Sequence, residues 1–186
     1  MTREQLNNLV VRARKFAAEA HQGQTRKYTG DPYMVHPTQV AAMVAAMGDV
    51  GEGFECHARA IVAAYLHDVV EDTDVTVDDI RDEFGPEVAR LVEELTDVSK
   101  PEDGNRSFRK AMDREHLSKA SHVAREIKYA DLINNAFDIV LHDPRFAGVY
   151  LEEKRLLLEA MDNGCDTPLR QLAVDTLNDG LATLNA

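Results

Sequence analysis

The residues best equipped for chemistry in this 186-residue chain are His67 and Asp68, side by side at the polar end of Ala60-Ile61-Val62-Ala63-Ala64-Tyr65-Leu66. The run before them is small and apolar on nearly all sides, the pattern of a helix buried in the middle of a domain. Adjacent helical positions point about 100° apart, so the two can grip one object but cannot share one solvent face. Burying an ionised carboxylate without a partner costs several kcal/mol, and a metal ion is a partner that uses both groups. The plainer alternative is a helix that simply ends here, with Asp68 and Glu71 in water.

Two further places offer ligands. His36, in Tyr33-Met34-Val35-His36-Pro37, closes a Gly/Pro loop just before a helix. Asp131 lies in Ile127-Lys128-Tyr129-Ala130-Asp131-Leu132, a mostly apolar helix where a lone carboxylate needs a reason. His36, His67, Asp68 and Asp131 together make a mixed set of two imidazoles and two carboxylates. Such a set suits Mn(II) or another first-row divalent ion and leaves room for water and chemistry. A structural zinc site more often uses thiolates and closes all four positions.

The elements that must carry these residues read as helices nearly throughout. Apolar residues at Leu6, Leu9, Val10, Ala13, Phe16, Ala17 and Ala20 make a helical stripe over 2–21. Gly23, Gly30 and Pro32 mark 22–37 as a long structured loop. A helix is predicted over 38–47, stopped by Gly48, and the central one over 55–70. Thr76 and Asp79 form a capping box for a short helix ending at Phe84-Gly85, and Pro86 suits the first turn of the next. Residues 97–107 read as an exposed loop, followed by helices over 108–120, 122–141, 147–161 and 168–184. No run alternates as a strand does, so the expected fold is all-α, a bundle of about eight to ten helices without significant sheet.

Composition narrows the partners. The length fits one domain over 1–186, and 44% hydrophobic residues argue against disorder. No apolar run approaches a membrane span, and charges throughout the first segment argue against a secretory signal. Cys56 and Cys165 sit in no metal-type spacing and read as free thiols of a cytoplasmic protein. A net charge of -12 disfavours nucleic acid as a partner. It is awkward for a phosphorylated ligand too, unless a metal and a few local bases reverse the field in one pocket.

His36, His67-Asp68 and Asp131 in this order resemble the HD phosphohydrolase superfamily. Finer wording narrows the likeness: His21-Gln22-Gly23-Gln24-Thr25-Arg26-Lys27, Gly30-Asp31-Pro32-Tyr33, His36-Pro37 and Leu66-His67-Asp68-Val69-Val70-Glu71-Asp72-Thr73 resemble the hydrolase domain of the Rel/Spo alarmone enzymes. Phe84-Gly85 and Leu91-Val92-Glu93-Glu94-Leu95-Thr96 continue it. The likeness covers about residues 5–140, with the helices of 141–186 completing the domain, and the chain looks like a stand-alone small alarmone hydrolase. The resemblance implies an HD-domain fold and removal of the 3′-pyrophosphate from (p)ppGpp, a stringent-response signal, giving GDP or GTP and pyrophosphate with Mn(II). It implies His36, His67, Asp68 and Asp131 as metal ligands. Glu71 and Asp72 match the acidic pair that positions and deprotonates the attacking water or protonates the leaving oxygen. Arg26 and Lys27 match a basic loop against base and phosphate, and Asn135 matches a nucleotide contact. Glu71, four residues after His67, is expected on the same helix face.

The chain departs from the family at Leu132, where a basic residue is usual, and at Asp138, often a threonine near the substrate. Both are expected to weaken a phosphate grip beside them, leaving that task to Arg26, Lys27, Lys128 or a C-terminal base. Related readings keep the chemistry and change the substrate to an adenosine alarmone such as (p)ppApp, NADPH or another phosphorylated nucleotide. A different class, a non-catalytic nucleotide-binding module, would not need the acidic pair. His21 either orients the basic loop or caps its helix, and Lys154-Arg155 is expected to pair with nearby acids. Oligomeric state is left open by the sequence.

Overall fold

A computed structural model describes residues 1–46, 53–162, 164 and 166–185. Among these residues there are ten α-helices, one short 3-10 turn at Pro101–Asp103, and no strand beyond a single antiparallel bridge between Thr25 and Pro32. The all-α expectation is met. The predicted helix end at Met47-Gly48 and the thiol of Cys165 lie outside the described residues; Cys56 is a free, half-buried thiol.

The chain forms two compact units. The first, Met1–Thr96 with Ser121–Ile127, holds α1 (Arg3–Ala20), α2 (Val35–Ala46), α3 (Phe54–Leu66), α4 (Val69–Asp72), α5 (Val77–Phe84) and α6 (Pro86–Leu95). Helix α3 is its axis and packs against α1, α2 and α6. Its Ala58, Ala60, Ala63 and Ala64 are buried, and such small side chains let neighbouring helices approach closely around it. Leu6, Ala13 and Ala17 of α1, Val40 and Val44 of α2 and Val92 of α6 are buried as well. The Thr76–Asp79 capping box opens α5, and Pro86 starts α6 right after Gly85, whose φ of 88° joins the two helices.

The second unit, Asp97–Ala120 with Lys128–Ala186, holds α7 (Arg106–Ser118), most of α8 (His122–His142), α9 (Pro144–Ala160) and α10 (Pro168–Leu184). Helix α9 packs on α7 and on α10. The α10 packing is close at Gly180, where an added Cβ would come within 3.1 Å of both Leu151 and Val140 side chains.

Several helix boundaries differ from the sequence reading, α9 starting at Pro144 and α7 at Arg106, and two of the differences fall at the candidate site. Helix α2 starts at Val35, three residues earlier than predicted, so His36 and Pro37 lie in its first turn. A proline is tolerated there because first-turn N–H groups have no intrahelical partner. The predicted central helix over 55–70 is broken: α3 ends at Leu66, and α4 is a single turn starting at Val69. The cause is local. The His67 ring nitrogen Nδ1 sits 2.9 Å from the Ala64 carbonyl, the acceptor that the Asp68 N–H would use if the helix ran on.

Candidate metal centre

The break at His67 aims three donors at one point in the first unit. His36 Nε2 and His67 Nε2 are 3.2 Å apart. Asp68 Oδ2 lies 3.3 Å from the first and 3.1 Å from the second. Both rings are buried, and the Asp68 side chain is 14% exposed. Because His67 Nδ1–H donates to the Ala64 carbonyl, Nε2 is the ring nitrogen left toward the neighbours, the one a metal ion would take. Two imidazole nitrogens and a carboxylate oxygen packed this closely repel one another unless a shared proton or a metal ion joins them. These three residues could hold a metal ion, their donor atoms lying within 4.8 Å of one another. The donor set fits a divalent ion that accepts mixed N and O ligands.

Tyr33 completes the local geometry. Its hydroxyl donates to Asp68 Oδ2 at 2.7 Å. Burial first, then the Asp68 and Asp72 carboxylates, raise the pKa of this phenol far above its ordinary range and keep it protonated. Its ring lies 4.6 Å from the buried His21 ring. His21 also serves as the C-cap of α1, its backbone N–H bonding the Ala17 carbonyl, so the sequence alternatives of capping and loop orientation both hold. The loop after it is a small hairpin, with Arg26 N bonding the Asp31 carbonyl and Tyr33 N bonding the Gln24 carbonyl. Arg26 is half-buried near the tip, and Lys27 is exposed with its ammonium 4.7 Å from the Tyr28 ring centre. Gln24 reaches from this hairpin to the Asp72 carbonyl at 2.8 Å. Glu71 and Asp72 are exposed on the single turn of α4. Tyr33 and Gln24 received no role from the sequence. The available signal was a hydroxyl-bearing aromatic three residues before a candidate ligand.

The remaining predicted site residues lie on α8 in the second unit. Asp131 is buried, with Oδ2 2.9 Å from the Lys128 ammonium and Oδ1 accepting from the Asn135 amide at 2.6 Å. The spacings of three and four residues place all three groups along one face of the helix. Asp138 is half-buried. Leu132, read in the sequence as a charge lost beside a substrate, is 1% exposed.

The HD domain family matches residues 13–131 of the chain. The chain belongs to the HD domain family, and its His36, His67 and Asp68 are a donor set that could hold a metal ion. It is 37% identical over 125 residues to the guanosine-3′,5′-bis(diphosphate) 3′-pyrophosphohydrolase MESH1 of Danio rerio, covering 67% of this chain and 65% of that protein. The same-named protein of Xenopus tropicalis is 36% identical over 135 residues, covering 70% and 69%. A guanosine-3′,5′-bis(diphosphate) 3′-pyrophosphohydrolase of Aquifex aeolicus is 45% identical over 91 residues, 49% of this chain but 12% of that one. The chain thus spans less than two thirds of the Aquifex and Danio relatives it matches. A solved structure of a metazoan ortholog of SpoT that hydrolyzes ppGpp is similar with a TM-score of 0.78 and 26% identity, covering 92% of this chain and 94% of that one.

Proposed function

We propose that this protein is a cytoplasmic, metal-dependent hydrolase that removes the 3′-pyrophosphate of (p)ppGpp, yielding GDP or GTP and pyrophosphate. The observation that carries the reading is the convergence of His36 Nε2, His67 Nε2 and Asp68 Oδ2, with Glu71 and Asp72 following within one turn. The names of the relatives from Danio and Xenopus and the ppGpp activity of the metazoan ortholog support the substrate. No described helix is long and apolar enough to cross a membrane.

His36, His67 and Asp68 would hold the ion, Mn(II) in this proposal, with Asp131 as the fourth ligand on the strength of its place in the sequence motif. A divalent ion supplies Lewis acidity, making water a better nucleophile and offsetting phosphate charge. Glu71 or Asp72 takes the proton of the attacking water, and the other gives one to the departing ribose oxygen. Arg26 and Lys27 bring positive charge to base and phosphates. Asn135 contacts the nucleotide, Lys128 adds charge through its pair with Asp131, and Asp138 accepts a hydrogen bond from a ribose hydroxyl or a base amine. That residues 1–186 act as one hydrolase domain belongs to the same proposal.

The test is purified protein with Mn(II) and a panel of ppGpp, pppGpp, ppApp and NADPH, with products separated by ion-exchange chromatography. One-step release of intact pyrophosphate from the guanosine substrates is expected. Preference for ppApp or NADPH would move the substrate while keeping the chemistry. Stepwise release of two orthophosphates, or activity indifferent to a strong chelator, would refute the mechanism.

A further inference from the structure

The hydrogen bond from Tyr33 to Asp68 has a feature that simple packing does not require: it ends on the oxygen that faces both imidazoles. Asp68 sits at the junction between α3 and α4, outside any regular helix, so no continuous helical backbone fixes its orientation. A carboxylate oxygen carries two lone pairs. The Tyr33 hydroxyl donates at 2.7 Å to the same Oδ2 that lies 3.3 Å from His36 Nε2 and 3.1 Å from His67 Nε2. We propose that Tyr33 is a positioning residue whose hydroxyl sets the Asp68 carboxylate for metal binding, and that His21 and Gln24 hold Tyr33 and the Asp72 end of α4 in register with it. The proposal rests on reading Asp68 as a metal ligand.

The support for Tyr33 comes from three contacts within the first unit. The His21 ring covers one side of the Tyr33 ring at 4.6 Å, with the planes 35° apart. The Gln24 amide nitrogen donates to the Asp72 carbonyl, which leaves its oxygen facing His21 Nδ1 at 2.8 Å. That nitrogen therefore carries the proton and donates to Gln24. His21 Nε2 is buried without a hydrogen-bond partner among the described atoms. Burying such a lone pair is a penalty that a phenyl ring in the same place would not incur. A phenyl ring could stack on Tyr33, but it could not hold Gln24. The end of α1, the hairpin and α4 are thus tied together through one imidazole, one amide and one phenol.

The experiment titrates Mn(II) into chelator-stripped protein, following free Mn(II) by electron paramagnetic resonance. It uses wild type, Asp68→Asn, Tyr33→Phe and His21→Asn, each well below its own melting temperature, with metal-free melting recorded in parallel. His21→Asn keeps a polar atom near the Nδ1 position and removes the stacking ring. Tyr33→Phe is expected to weaken Mn(II) binding about tenfold or more, as lost support for a ligand does, and His21→Asn by a smaller but measurable factor. For Tyr33→Phe, kcat is expected to recover with excess Mn(II) while KM for nucleotide stays near wild type. Wild-type Mn(II) affinity in Tyr33→Phe, whatever its melting temperature, reduces the residue to packing and overturns the proposal. Wild-type affinity in His21→Asn overturns the buttress. If Asp68→Asn binds Mn(II) as wild type does, the ligand assignment itself falls, and that outcome is distinguishable from the other two.

Discussion

Glu71 and Asp72 are neighbours, both exposed on the same short turn, and the Asp72 carbonyl is held by Gln24. Neither is among the three donors that converge at the centre. Glu71→Gln and Asp72→Asn should therefore keep bound metal near one equivalent by elemental analysis while turnover falls by about 100-fold or more, the usual cost of losing acid–base help. Loss of metal in either variant to the level of Asp68→Asn would mean that the acidic pair ligates. At this scale the sequence was informative because each polar residue in an apolar run demands a partner. His67, Asp68 and Asp131 stood out for that reason, and His36 for closing the Gly/Pro loop just before a helix. Leu132 carried no such signal: an apolar residue is silent about which way its helix turns, and here it is buried.

Helix periodicity made most elements legible, yet two helix-level features depended on contacts that periodicity does not encode. One is the break of the central helix, decided by the His67 ring competing for the Ala64 carbonyl. The other is the fate of Lys154-Arg155 on α9. Arg155 pairs with Glu152 as expected, its Nε and terminal nitrogen 2.8 and 2.7 Å from the two carboxylate oxygens. Lys154, one position and about 100° away, instead turns its ammonium into a pocket lined with Asp97, Lys110, Asp113 and Lys128. Burial, then the like charge of Lys128, pushes its pKa down to about 8. Asp97 is held below the usual carboxylate range despite burial, because Lys128 and Lys110 outweigh the loss of solvent. For a base whose folded pKa lies below the unfolded value, the penalty is fully present below about pH 8 and is relieved as pH rises toward about 10.5. Lys154→Met should then be more stable than wild type by about 1–3 kcal/mol at pH 7, with the gain shrinking toward pH 10. Urea denaturation at the two pH values reads this directly. An equal or lower stability of the variant at pH 7 would show that the surrounding carboxylates, with the Tyr150 ring 5.2 Å away, already compensate the charge.

For the whole molecule, the excess of 33 acidic over 21 basic residues means that the folded chain repels itself, and the three-donor cluster concentrates lone pairs inside the first unit. All-α character and acidity were both legible in the sequence, since one follows from periodicity and the other from counting. That the donors would meet was legible only through the motif, because bringing residue 36 beside residues 67 and 68 depends on the packing of α2 against α3. A ligand that binds only the folded chain stabilises it by about 2.7 kcal/mol at a hundred times its Kd. In a chain of this size each kcal/mol moves the melting temperature by about 2–4 °C. Saturating Mn(II) should therefore raise Tm by about 5–10 °C over the chelator-treated protein in a calorimetric scan. The same concentration should move Asp68→Asn by little, because the carboxylate that completes the cluster has become a neutral amide. Mg(II) at equal concentration should give a smaller shift, since imidazole is a poor ligand for it. An equal rise in wild type and Asp68→Asn would trace the effect to diffuse neutralisation of the acidic surface, and the His36, His67 and Asp68 cluster would then not be where the ion acts.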